Sequence, residues 1–405
     1  MAYIPSGLKD ANFASLIEAA MATRGFRSVA DFIEKIHNYY EDEQDWRKLF
    51  PLSPDANPDR VFKQYTGTEF APILATYIAD DAEAPLMTND KAGLRTGSIP
   101  RMSKRYMFDA ESYETSKRLI AAGNESRGLS KAFSSFLVDN IKLISTIHQQ
   151  RTFTSLQVES KGMYVSTQAN NPDGPIGLQI GQGFPTDHQF KAGGVFASGG
   201  QGTKYAWSDD SANPIGDLQD LYDYGWKNRL FSNDPKRLVF RMSQALYTTF
   251  KNHATVKTAI YLWKGGYVAG SNTMVPYFRV TDNDVQEYLV GIGLPEIEVV
   301  PTYGFAPYFD SSNKTIKKAA LSAFDPTKVI LREKGVIGEM QWYQVTNMFS
   351  TTANPMYYTD GGSISIQQIT STRQKSIEYT ADTLCVPVLA AINRILSLDT
   401  SEAAS

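Results

Sequence analysis

The side chains best able to move a proton lie side by side at Asp187 and His188 and again at Asp209 and Asp210. An imidazole next to a carboxylate is the raw material of general acid–base catalysis, but both pairs sit among Gly and Ser, where Asp usually shapes a turn and stays solvated. A catalytic role is not expected. The four histidines, His37, His148, His188 and His253, are too widely spaced for paired ligands, and the single Cys385 excludes a thiolate metal set or an internal disulfide. In the apolar run TLCVPVL it reads as a small buried hydrophobe. GQGFPT, from Gly181, lacks the third glycine of a dinucleotide fingerprint, and GGQGTK, from Gly199, reverses the order of lysine and hydroxyl that a phosphate loop needs. There is no G-x-S-x-G elbow. The expectation is therefore no metal, no cofactor, no catalytic residue and no enzyme.

Composition points the same way. With 405 residues, 42% hydrophobic, 48 aromatics and 20% charged, the chain can bury a sizeable core. Forty Lys and Arg against 43 Asp and Glu leave a formal net charge of −3, so no bulk field announces a polyanionic partner. That total hides opposed blocks. Lys91 to Lys161 holds twelve basic and six acidic residues, Gly162 to Trp226 two and seven, and Lys227 to Lys264 eight and one. Complementary blocks could set register between copies, in which case added salt should weaken early assembly. The basic blocks lack the interleaved aromatics of a nucleic-acid platform. MAYIPSGLKD does not read as a secretory signal, which implies a cytoplasmic start, and no apolar window approaches the roughly 18 residues of a bilayer span.

The elements that would carry these residues follow from periodicity. Phe13 to Met21 and Val29 to Tyr40 predict helices, and PLSPDANPD, with three prolines, predicts an extended connector. Ala84 to Asp109, rich in Gly and basic residues, predicts a long hairpin or loop; a short helix follows Asp109 and ends near Gly123. After Gly128 a helix of about twenty residues, roughly 30 Å, carries Phe133, Leu137, Ile141, Ile144 and Ile147. Asn171 to Gly202, with nine glycines, predicts a loop. Helix and strand then alternate: NPIGDLQDLYDYGW helix, LVFRM strand, SQALYTTFKN helix opened by Ser243, VPYFRV strand, DNDVQEYLVGIG helix, EIEVV strand. KVILR, GVIGEMQWYQV and SISIQQITSTRQKSIEYT predict strands, a last helix is expected from about Pro387 to Leu398, and TSEAAS is expected to fray.

The order of these segments resembles the major capsid proteins of tailed phages, within their phage-lambda-type branch, from about Thr76 to Leu398. The resemblance rests on LVDNIKLISTIHQQRTFTSLQVESKGMYVST, WSDDSANPIGDLQDL, DPKRLVFRMSQALYTTFKNHATV, and GLPEIEVVPTYGF followed by PTKVILREKGVIGE. It implies an α+β chain with the HK-97-like capsid fold: an N-terminal arm over 1–75, an E-loop over 76–108, a peripheral domain over 109–212 and 339–382 with a long spine helix, and an axial domain over 213–338 and 383–405. It further implies a structural subunit that self-assembles into hexamers and pentamers of an icosahedral shell around double-stranded DNA, located in the virion and assembled in a host cytoplasm. Partners would be neighbouring capsomers and scaffold, portal and decoration proteins, with no sequence-specific DNA contact and no membrane. Within that reading Lys91, Arg95, Arg101, Lys104, Arg105, Tyr106, Phe108 and Trp46 are the candidate contacts between subunits. Two alternatives stay open: an encapsulin-like nanocompartment and a β-rich hydrolytic enzyme.

Overall fold

The computed structural model describes residues 13–37, 45–66, 93–108, 110–181, 183–196, 200–265, 279–300, 303–310, 315–345, 355–371, 376–390 and 392–404. Along the chain come α1 (Phe13–Ala22), α2 (Val29–His37), α3 (Trp46–Leu49), β1 (Val61–Thr66), β2 (Gly93–Ser98), β3 (Arg101–Phe108), α4 (Ala110–Ala121) and α5 (Glu125–Lys161). β4 (Met163–Val165), β5 (Gln179–Gly181) and β6 (Gln189–Ala192) precede α6 (Pro214–Lys227), β7 (Leu238–Ser243), α7 (Gln244–Asn252), α8 (Ala254–Trp263), α9 (Asp282–Gly291) and β8 (Glu296–Val300). The remainder is β: β9 (Tyr303–Asp310), β10 (Thr315–Ser322), β11 (Lys328–Glu333), β12 (Gly338–Tyr343), β13 (Met356–Thr359), β14 (Ile364–Ser371), β15 (Ser376–Leu389) and β16 (Leu396–Ala403). The chain divides into two compact units, one of residues 1–62, 97–152 and 340–387, the other of 63–96, 153–339 and 388–405.

In the first unit β15 is the axis of the sheet. β14 pairs antiparallel along one side, β13 follows β14, and β3 pairs antiparallel along the other side from Ile377↔Phe108 to Leu384↔Arg101. Ile364, Ile366, Tyr379 and Ala381 turn inward against Leu143, Ile144 and Ile147 of α5 and against Ile17, Met21, Phe32 and Ile33. Those last four belong to α1 and α2, so the two expected helices of the N-terminal region pack into this unit. Burial of four large apolar side chains holds these two short amphipathic helices there, at about 2 kcal/mol each. Of the expected E-loop, residues 76–92 lie outside the described residues; β2 pairs with β1, and Arg101–Phe108 is a sheet strand. Asp109 as a helix cap, residues 38–44 and most of the expected strand VPYFRV also lie outside the described residues.

α5 is 37 residues long, about 55 Å, and far exceeds its expectation. It starts before Gly128, which is no breaker: a Cβ there would stand 2.7 Å from Ile120 and 2.8 Å from the Ser116 carbonyl, so glycine lets α4 lie against the first turn of α5. It continues past Gln150 because every residue from Arg151 to Ser160 is buried. A helix buried all round has no polar face, and the period is lost. It stops at Gly162, whose φ of +70° and whose approach to the Gly183 backbone no side chain would allow.

The second unit is built on the sheet β6–β16–β11–β7–β8, in which β6 runs parallel to β16 and β7 parallel to β8 while β11 is antiparallel to β16 and β7. The β7 to β8 crossover carries α7, α8 and α9. Ser243 Oγ accepts the Leu246 amide to open α7, and Asn213 and Pro214 open α6, as the spacing predicts. Leu238, Phe240, Met242, Val329, Leu331, Leu396 and Leu398 meet Leu218, Leu221, Tyr247, Phe250, Ile260 and Leu289 in the core. The expected last helix is instead the end of β15, a short turn at Ile392–Arg394 and β16, whose pairing reaches Ala403. Apolar residues on both faces of a central strand leave no alternation to read.

Candidate functional site

Asp209 accepts the Ser211 amide in a turn, and His188 is buried with Nε2 4.0 Å from the exposed Asp187 carboxylate. Among the described residues no group of three or more His, Cys, Asp or Glu is placed to hold a metal ion. The buried carboxylates are others. At the start of α6, Asp217 accepts from the Gly193 amide and Trp207 Nε1, and Asp220 from the amides of Gln201 and Gly202, each at 2.8 Å. A Cβ on Gly200 would stand 2.5 Å from Asp220 Oδ2, and one on Gly202 2.1 Å from Asp217 Oδ1. Gly200 and Gly202 of GGQGTK thus let the chain close on two carboxylates.

Burial, opposed by the Trp207 and Gly193 hydrogen bonds and aided by Asp220, pushes Asp217 up to about 6. The folded-state value lies above the unfolded one near 4, so the folded chain binds the extra proton between them. Asp217 therefore contributes stability below about pH 4 that is lost as pH rises through about 6. Thermal melts from pH 4.5 to 7.5 should show a decline on the order of 2 kcal/mol from this group, and Asp217→Asn should flatten that slope whatever it does to the level. An unchanged slope would remove the assignment.

The candidate contact residues separate. Trp46 is fully buried: its Nε1 donates to His148 Nδ1 at 3.3 Å, the rings stack at 6.1 Å, and the guanidinium carbons of Arg47 and Arg151 stand 4.7 and 5.1 Å from its ring. It anchors α3 within its own unit and is not available to a neighbour. Tyr106 is half-buried against the first unit's core. Arg101 clasps the buried Asp382 in a fork, Nε to Oδ1 at 3.0 Å and Nη2 to Oδ2 at 2.7 Å, and that carboxylate raises the guanidinium pKa further. Arg105 reaches Glu378 at 3.5 Å, and Lys104 is exposed. Beside Arg101 lies a cavity of about 350 Å3 lined by Arg60, Tyr343, Met356 and Gln367 among others. Arg95 lies on β2 and Phe108 on β3, whereas Lys91 lies outside the described residues.

Two charged clusters escaped the sequence reading. In the first unit Arg151 Nη1 donates to Asp360 at 2.5 Å, Nη2 to Thr383 Oγ1 at 2.7 Å and to Ser363 Oγ at 3.0 Å, and Arg47 pairs with the other Asp360 oxygen. In the second, Glu159 accepts from Arg332 Nε at 2.7 Å and Arg241 Nη2 at 3.1 Å, while Arg241 also pairs with Glu298. Burial pushes the Glu159 pKa up, but the two guanidinia outweigh it and hold the carboxyl below its usual range. Lys251 pairs with Asp282 and Lys264 with Asp284, so part of the basic excess of 227–264 is neutralised inside the unit. Arg229, Lys236 and Arg237 stay exposed.

No protein-family model matches the chain, and no curated protein does. Solved structures do. A candidate capsid protein of a prophage of E. coli CFT073 aligns with 91% of this chain and 98% of its own at 12% identity and a TM-score of 0.50. A phage-related protein from Bordetella bronchiseptica RB50 aligns with 91% and 96% at 12% identity and TM-score 0.43. The procapsid of satellite phage P4, which includes its size determination protein, aligns with 90% and 90% at 10% identity and TM-score 0.39. The α+β, HK-97-like capsid fold expected from the order of segments is the fold this chain adopts.

Proposed function

We propose that this chain is a major capsid protein, the repeated structural subunit of an icosahedral phage shell around double-stranded DNA, and that it is not an enzyme. The observation that carries the reading is the end-to-end alignment, 91% of this chain with 98% of the candidate prophage capsid protein. The buried acids and bases fit that role, since Asp217, Asp220, Asp360 and Glu159 are engaged in holding elements together. A net charge of −3 also suits a DNA container, because a strongly basic lining would bind the duplex by counterion release and resist packing.

In this reading 109–212 and 339–382 serve as the peripheral domain, 213–338 and 383–405 as the axial domain, and 76–108 as the E-loop. Hexamers and pentamers are the capsomers, the mature site is the virion, assembly takes place in the host cytoplasm, and scaffold, portal and decoration proteins are the partners. Contacts between such copies need only be individually weak, since many act at once. Nuclease treatment of particles purified from infected or expressing cells tests the role: protected double-stranded DNA is expected from infection. Particles filled with a protein cargo would mark a nanocompartment, and turnover of a glycoside or ester by a monomer would mark an enzyme; either would replace the proposal.

A further inference from the structure

Among the large apolar side chains that the described residues of the second unit leave in solvent, two groups lie at helix ends. At the ends of α8 and α9, Leu262, Trp263, Val290 and Ile292 are 49, 45, 58 and 39% exposed, and at the end of α6 Trp226 is 46% exposed. The first group is one patch: Trp263 meets Tyr288 edge-on with ring centroids 5.9 Å apart, and a Cβ on Gly291 would stand 3.1 Å from the Trp263 ring. The topology sets the two places at opposite edges of one helical layer. α9 packs on β8, the outer strand at one end of the sheet; α6 packs on β16, next to the other end; α8 lies between and touches both.

Their charges are complementary. On the α9 edge Lys251 and Lys264 neutralise Asp282 and Asp284, whereas Glu287, exposed on the same helix, is bonded only to Asn283 among the described residues. On the α6 edge Trp226 is followed by exposed Lys227 and Arg229, then by Lys236 and Arg237 on the next turn, and Arg229 faces no carboxylate among the described residues. A membrane or a nucleic acid would call for one sign over the whole surface, but here an apolar patch with a spare carboxylate stands on one edge and an aromatic with spare cations on the other.

We propose that the α8–α9 edge of one copy docks on the α6 edge of a second copy, covering Trp263, Val290 and Ile292 with Trp226 and setting Glu287 against Arg229. The inference rests on the shell reading and names a surface for it. Because the joined patches differ, the contact is head-to-tail and repeats around a ring until it closes. Each patch offers on the order of a few hundred Å2, too little for a stable dimer alone and enough for a contact that several neighbours reinforce.

Two sets of variants test it on the full chain, read by sedimentation for assembled particles and by circular dichroism for folding. Val290→Asp with Ile292→Asp should lower the assembled fraction at least about tenfold while the melting midpoint of the unassembled chain stays put. Glu287→Arg and Arg229→Glu should each impair assembly, and their combination should restore most of it, a result that a folding defect would not give. Particles at wild-type yield from the first pair, or a double swap no better than the worse single, would overturn the contact and leave the shell reading intact. A wild-type chain that never leaves the monomer would defeat both.

Discussion

Glu159→Gln should destabilise the second unit by about 3–5 kcal/mol, the loss typical of removing one partner from a buried ionic cluster. Its carboxylate is completely buried and receives Arg332 from β11 and Arg241 from β7, so one helix side chain holds two central strands. Glutamine keeps one acceptor but turns an amide donor toward a guanidinium, leaving Arg241 with Glu298 and Arg332 with the carbonyls of Glu333 and Gly335. Glu298 is half exposed, so Glu298→Gln should cost under about 1 kcal/mol and serves as the control. The pH dependence has a definite sign. The depressed pKa of Glu159 means that its contribution is present above the unfolded value and lost as pH falls through the lower folded value. The gap between wild type and variant, measured by urea midpoints, should therefore narrow only in strong acid. Replacing Glu159, Arg241 and Arg332 together by Met or Leu should recover much of the loss, because no buried charge is then left unpaired and Glu298 is half exposed. A variant within 1 kcal/mol of wild type would mean that water reaches this cluster.

Arg151→Met should have a comparable effect, about 3–4 kcal/mol, in the first unit. It removes four hydrogen bonds, to Asp360, Ser363 and Thr383, and leaves the buried Asp360 only one cation among the described residues, Arg47, whose own side chain is one-third exposed. It also withdraws one of the two guanidinia beside Trp46, loosening α3. Arg151→Lys keeps the charge and loses the fork, so it should fall between, at about 1–2 kcal/mol. With Asp360→Asn the two losses should be clearly sub-additive in a double-mutant cycle, and strict additivity in chemical denaturation would show that the pair does not act as one unit.

These two clusters are also where the sequence was least legible. Amphipathic helices with one solvated side, α1, α2, α6 and α9, and strands with β-branched runs, β7, β8 and β11, announce themselves through period and caps. The stretch HQQRTFTSLQVES does not, because a helix buried on every side needs no polar face and its Arg151 and Glu159 find partners more than eighty residues away. The same blindness turned β15 and β16 into a helix, since Cys385, Val386, Val388 and Leu389 are buried on both faces of a strand. Trp46, a candidate contact from its place near the N-terminal arm, is instead enclosed by His148, Arg47 and Arg151. The Gly-rich segment looked like a loop, but its glycines mark the approach to Asp217 and Asp220. The capsid resemblance stood on segment order, and the fold agrees with it along nearly the whole chain. The clusters were invisible until that fold existed.

Electron microscopy of the purified full-length chain over a range of concentrations tests the central claim most directly. Closed, uniform shells or ring-shaped capsomers of five and six copies are the predicted result. A dispersed monomer at every concentration and ionic strength, folded by circular dichroism yet never joining another copy, would contradict it.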